Sequence, residues 1–259
     1  MKRFLVLLGL LFFYTAFAQT SFRKTTNNAF QRGEKLTYRV HYGFIDAVVA
    51  TLEIKEEDKK FGDRSTFHIV GSGKSKGSFD FFFKVRDRYE TYMDEQSLMP
   101  WYFVRRVDEG GYRISQDYVF NNYKKTVNCG NNKTVNVLEY TQDMISGFYY
   151  ARTMDLGSAK VGQLFTVPTL VDEEMYNLQI KFKGKEYVKT KFGKIRCLKF
   201  VPVVQKGRIF KHEEDLQVWL SDDQNHVPIY AKADILFGSI KLDLISFSGL
   251  VKPFTYETK

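Results

Sequence analysis

Apolar and polar residues alternate with period two along most of the chain. In Lys35-Leu36-Thr37-Tyr38-Arg39-Val40-His41-Tyr42, the apolar set Leu36, Tyr38, Val40 and Tyr42 falls on one face and the polar set on the other, the signature of a strand with one buried side. Gly43 interrupts this run, and Val48, Ala50, Leu52 and Ile54 then form the inward face of a second strand, which predicts a hairpin of long strands. Segments of strand character follow at 65–70, 79–93, 102–107, 112–120 and 133–140, then at 163–171, 176–183, 186–192, 194–204, 213–220, 228–237 and 240–251. Short turn signals such as Asp108-Glu109-Gly110-Gly111 and Phe61-Gly62-Asp63 join them. The expected fold is all-β and mainly antiparallel, a large curved sheet that forms a half-barrel or barrel.

One segment breaks the pattern. Between Thr141 and Asp155, Met144, Ile145, Phe148 and Tyr149 make a stripe along one side of a helix. The expected helix covers positions near 142–154, with Thr141 capping its start, Asp143 at the positive end of its dipole, Arg152 at the negative end and Gly157 marking the stop. A single amphipathic helix in an antiparallel chain is best used to cover a sheet face or plug a barrel end.

Residues 1–18 have the make-up of an export signal: Lys2 and Arg3, the apolar stretch from Phe4 to Tyr14, and Ala16-Phe17-Ala18 as cleavage site. The mature chain is expected to begin near Gln19 and to be periplasmic or secreted. No cysteine follows the cleavage site, which excludes lipid attachment there, and no later run of about 18 apolar residues offers a transmembrane anchor. Residues 19–259 contain no linker-like tract and no fixed-period repeat, so a single β-rich domain is expected, with 19–32 as a loosely ordered start.

Hydrophobic residues make up 44% of the chain and aromatics 16%, ample material for a core. The formal charge of +9 loses Lys2 and Arg3 on cleavage, leaving +7. Acids are interleaved with the bases, which points to a mildly basic solvated surface able to favour anionic partners, and the compartment argues against nucleic acid. Cys129 and Cys197 are the only cysteines, too few for a disulfide framework, and a buried free thiol is the ordinary outcome for Cys197.

Catalytic signatures are lacking. There is no Gly-x-Ser-x-Gly elbow, and His41, His68, His212 and His226 form no close ligand pair, so neither metal nor cofactor is expected. Gly71-Ser72-Gly73-Lys74-Ser75 imitates the end of a phosphate loop, but His68 stands where its first glycine belongs, and a flexible turn is expected instead. Glu53, Asp87, Glu90, Asp215 and Asp234 could supply an acid–base pair only if two carboxyls faced each other across a cleft.

What remains is the aromatic content. Phe79, Phe81 and Phe83 share one strand face with Val85, and Tyr112 and Tyr118 lie on strands that could reach the same interior. With Phe148 of the helix and Trp219, they are the candidate lining of a ligand cavity. In the strand around Trp219, alternation sets Leu216, Val218 and Leu220 on one face and Asp215, Gln217 and Trp219 on the other, so Trp219 either shields the outside or touches ligand.

The chain carries, in this order, Gly33-Glu34-Lys35-Leu36-Thr37-Tyr38, then Gln142-Asp143-Met144-Ile145-Ser146 with Tyr149-Tyr150 and Arg152, and finally Val218-Trp219-Leu220-Ser221-Asp222 and Pro228. By these residues the chain resembles the bacterial exported proteins of domain-of-unknown-function family 3108 over nearly all of 19–259. The resemblance implies an exported protein and assigns no activity. The pattern from Trp219 to Pro228 is also similar to the late hairpin of periplasmic lipoprotein carriers, whose half-barrel holds acyl chains under a helical lid, an analogy of fold alone. The expected function is therefore a non-enzymatic binder or carrier of a hydrophobic or amphiphilic envelope component. The alternative is a structural or interaction protein that docks an envelope partner through a sheet edge or basic face.

Overall fold

The computed structural model describes residues 21–203, 214–235, 238–254 and 256. The expected signal at 1–18 and His212 lie outside the described residues. Among the described residues, fourteen strands form one antiparallel sheet. In chain order they are β1 (Lys35–Tyr42), β2 (Ile45–Phe61), β3 (Arg64–Ser75), β4 (Arg86–Asp94), β5 (Pro100–Glu109), β6 (Tyr112–Asn121), β7 (Thr126–Asn128), β8 (Thr134–Asn136), β9 (Leu164–Val171), β10 (Glu174–Thr190), β11 (Gly193–Pro202), β12 (Leu216–Ser221), β13 (Pro228–Asp234) and β14 (Ser239–Ser248). Helix α1 (Gly77–Phe82) follows β3, and helix α2 (Met144–Arg152) follows β8.

The spatial order is β8-β7-β6-β5-β4-β3-β2-β1-β14-β13-β12-β11-β10-β9, so β1 pairs with both its sequence neighbour and the last strand. Edges β8 and β9 are not joined by a strand ladder. The sheet nevertheless curls until they meet, because Leu170 at the end of β9 packs with Phe103, Tyr118, Phe120 and Val127 of β5 to β7. Arg105 on β5 reaches Asp172 beyond β9 at 2.7 Å. One stretch of chain crosses the seam: it pairs with β7 as β8, and six residues later Gln142 bridges Thr169 of β9 in parallel. The sheet is therefore not closed by hydrogen-bonded strands, and its two ends are held together by side-chain packing, one ion pair and this bridge.

The period-two reading holds for the long strands. On β1 and β2, Leu36, Tyr38 and Ile54 are buried, while Val40, Val48, Ala50 and Leu52 turn to the interior. Three local expectations do not hold. The strand expected over 79–93 begins only at Arg86; residues 77–82 form α1, because Gly77 sits at φ +58 and Asp80 is drawn back onto Arg86 at 2.6 Å and onto the Ser75 hydroxyl. The two strands expected at 176–183 and 186–192 are one, β10, continuous through a bulge at Gly184 where φ is +130. Gly71 to Ser75 is not a turn but the end of β3.

Residues 21–32, part of the expected loose start, carry no strand, and several of them are exposed. Ala29 and Phe30 are buried against Phe67, Ile69, Met93 and Tyr149, and Phe22 meets Trp101 edge to face. Both cysteines are free and buried.

Helix α2 is capped by Asp143, not Thr141. The Asp143 carboxylate accepts from the Ile145 and Ser146 N–H groups, and the Ser146 hydroxyl accepts from the Asp143 N–H at 2.9 Å, a reciprocal capping box. The helix ends at Arg152, well before Gly157.

Arg152 is the anchor of this end of the molecule. Its guanidinium meets the Glu34 carboxylate in two parallel bonds of 2.7 Å, with both side chains wholly buried. It also donates to the Ala29 and Asn225 carbonyls, so one side chain ties the N-terminal segment, α2 and the β12–β13 turn together. Burial alone would lower the Arg152 pKa, but the adjacent Glu34 carboxylate raises it and keeps the guanidinium charged.

Removing either partner leaves a buried charge alone, so Glu34→Ala and Arg152→Ala should each cost about 3–5 kcal/mol. The double replacement Glu34→Leu with Arg152→Met should cost clearly less than the two single losses added together. Urea unfolding of the four proteins checks this, and strictly additive losses would show that the two side chains act independently.

Candidate ligand cavity

Between the sheet and α2 lies a cavity of about 960 Å³. Its wall comes from β1 to β4 and β12 to β14, with α1 at one end and α2 opposite. Tyr38, Val48, Leu52, Ile145, Phe148 and Leu242 supply much of the apolar surface. The space exists because neighbouring strands carry small residues on the inward face. Gly73 of β3 pairs with Ala50 of β2, Ala231 of β13 pairs with Leu242 of β14, and Gly71 and Ala47 also reach the lining. At Gly71, Ile145 of α2 already comes within 3.4 Å of where a Cβ would stand, so the helix rests there on bare backbone.

One end of the cavity is shut and the other open. The Arg152–Glu34 pair and the N-terminal segment close the first, and beside Leu36 the Phe247 ring stacks on Phe254 and meets Phe192 edge to face. The open end is ringed by the β1–β2, β5–β6 and β13–β14 connections and by α1. There the lining residues Tyr42, Phe83 and Ile240 also contact solvent.

Polar groups in the wall are few and engaged. The Thr51 and Ser72 hydroxyls bond each other at 2.7 Å, and the His41 imidazole lies 2.8 Å from both Asp46 and Asp243. Asp87 and Glu109 line the cavity side by side near its mouth. Burial pushes the Glu109 carboxyl up, and a hydrogen bond to Asp87 and the charge of that neighbour add to it. Carboxyls in direct contact leave no room for a sugar ring, since glycoside hydrolysis needs them about 5–9.5 Å apart. The other carboxylates named as candidates do not join them: Glu53 pairs with Lys35 and Lys55, Glu90 with His68 and Arg88, and Asp234 with Lys232. The described histidines stay apart, with His68 between Glu57 and Glu90 and His226 on the Arg152 carbonyl.

Of the seven aromatic candidates, three reach the cavity: Phe79 and Phe83, from α1 and its end, and Phe148 of α2. Phe81 is 87% exposed, because on a helix it no longer shares a face with Phe79. Tyr112 is half-exposed at the β5–β6 turn, and Tyr118 is buried in the seam cluster with Phe103 and Leu170. Trp219 lies on the other face of β12 from the cavity-lining Val218; its indole is packed on Tyr230 and Lys199 and donates to Glu186. It shields the outside of the sheet. The small residues that make the space were not among the candidates; glycine and alanine recurring on the inward face of adjacent strands were the available signal.

The chain belongs to DUF3108, a family described as protein of unknown function, whose model matches residues 37–245. No curated protein matches it. Among solved structures it is similar to a β-barrel-like protein of domain-of-unknown-function family DUF1849 from Brucella abortus, with 12% identity, a TM-score of 0.54, and coverage of 86% of this chain and 99% of that one. It is also similar to a candidate lipoprotein from Parabacteroides distasonis, at 10% identity and TM-score 0.39, covering 87% of this chain and 100% of that one. The first likeness establishes a β-barrel-like fold and says nothing of activity. No helix among the described residues is long and apolar enough to cross a membrane.

Asp143 holds α2 above the cavity, and burial raises its pKa from 3.8 to about 6 against four hydrogen bonds that lower it. The folded state therefore binds a proton that the unfolded chain releases between these values. This contribution is fully present below pH 3.8 and is lost as pH rises to about 6, a change on the order of 3 kcal/mol. Asp143→Asn keeps an acceptor for the cap and removes the titration. Urea unfolding from pH 4 to 7 should show the wild type losing this stability relative to Asp143→Asn, and parallel profiles would refute the assignment.

Proposed function

We propose that the cavity binds a hydrophobic or amphiphilic molecule, and that the protein is a non-enzymatic binder or carrier of such a component of the cell envelope. The single observation that carries this reading is the cavity itself. Its volume of about 960 Å³ lies at the upper end of the range of small-molecule sites, about 300–1,000 Å³, and its wall is apolar apart from a few paired polar groups. Water in such a space finds few partners, so an apolar ligand gains free energy by displacing it. An acyl chain can lie along β1 to β3 under Phe148, with a polar head at the mouth beside Asp87 and Glu109. The second reading, docking of an envelope partner through a sheet edge, would use the outer side of β6 at Tyr112–Tyr118 or of β10 at Phe182–Thr190, where no neighbouring strand pairs among the described residues.

Protein recovered from its own cells, examined by native mass spectrometry and by solvent extraction, should carry an amphiphile in about equimolar amount. The variant Phe148→Asp sets a charge in the cavity wall and should lose that molecule, with a stability loss of about 2–4 kcal/mol. Wild-type protein reproducibly free of any extractable molecule would overturn the reading.

A further inference from the structure

The open end of the barrel carries an apolar surface that a freely dissolved protein has no reason to keep. Phe44 at the tip of the β1–β2 turn is fully exposed, Ile45 beside it is half-exposed, and Phe81 and Phe82 of α1 are 87% and 81% exposed. These groups form one patch, because α1 packs on the β1–β2 hairpin: the Lys76 N–H donates to the Ala47 carbonyl, and its ammonium faces Asp46. The patch continues around the mouth. Phe83 covers Gly110 of the β5–β6 turn, and the Tyr42 ring lies 3.7 Å from where a Gly238 Cβ would stand.

We propose that this rim is a docking surface for a lipid bilayer bearing anionic headgroups, set so that the cavity mouth faces the membrane. Scattered exposed apolar residues need no explanation, but four large ones gathered on the turns around one opening do. Projecting rings suit the soft interface of a bilayer, where each can insert on its own. The charge around them is complementary to acidic lipid. Lys74, Lys76 and Lys84 are exposed beside α1; of the carboxylates there, Asp80 is engaged by Arg86, Asp46 by His41 and Lys76, and Asp87 and Glu109 face inward in the cavity wall. The inference stands on the outer rim, and the cavity reading stands on interior residues, so each can fail without the other.

The test is flotation with phosphatidylcholine vesicles, with and without phosphatidylglycerol, using protein in the form its own cells process. Wild type should float with the phosphatidylglycerol vesicles and far less with phosphatidylcholine alone. Phe44→Ser/Phe81→Ser/Phe82→Ser should bind about a hundredfold more weakly. Lys74→Glu/Lys76→Glu/Lys84→Glu should lose the preference for acidic lipid. Because the altered side chains lie outside the cavity, both variants should keep the wild-type Tm and take up an apolar dye as wild type does. Wild type that ignores phosphatidylglycerol vesicles would overturn the proposal, as would a serine variant that floats equally well. Rings that instead hold a second copy of the chain or another protein, with no vesicle binding, overturn it too.

Discussion

The buried contact between Arg152 and Glu34 is the constraint on which the arrangement of this molecule depends. A curved sheet leaves two open ends, and in water both cannot remain open without exposing the core. Here one end is closed by groups that are 118 residues apart in sequence and wholly withdrawn from solvent. Each ion alone would be intolerable there, which makes the pairing obligatory and fixes the angle at which α2 enters the barrel. With the helix held at its C-terminal end by Arg152 and at its N-terminal end by the Asp143 cap, its apolar side lies over the sheet at a set height. The cavity is the gap that remains.

That gap is kept by what the strands lack. Large inward residues on every strand would have met α2 and filled the interior to normal density. Gly71 brings Ile145 down onto the sheet, while Gly73, Ala50 and Ala231 leave room farther toward the mouth. The fold thus combines a packed end, where Phe30, Ile54, Ile69 and Tyr149 touch, with a hollow end lined by Val48, Phe83 and Leu242. Polarity follows the same gradient, since the hydrogen-bonded carboxyls of Asp87 and Glu109 lie at the open end.

Much of this was legible in the sequence, for physical reasons. Alternation on β1 and β2 reports directly which face is buried, and the stripe Met144, Ile145, Phe148 and Tyr149 reports a helix laid on it. The misreadings arose where local pattern and distant contacts disagree. Phe79 to Phe83 alternate well enough for a strand, but the chain is turned at Gly77 and held by Asp80 on Arg86, a contact that no periodicity reveals. The sequence places Arg152 at the negative end of the helix and gives no sign of its link to Glu34, because their partnership is purely tertiary. Large aromatics attract attention as site candidates, yet Tyr118 and Trp219 are ordinary packing on the seam and the outer face. The cavity was written in small side chains.

The central claim is that the hollow end accepts an apolar molecule inside the barrel. Titration with N-phenylnaphthylamine, which becomes emissive in apolar surroundings, tests it most directly when wild type is compared with Ala50→Trp, a change that fills the space over Gly73. The account predicts saturable uptake of the dye by wild type and its loss in Ala50→Trp at unchanged Tm. Equal uptake by both proteins, or none by wild type, would contradict it.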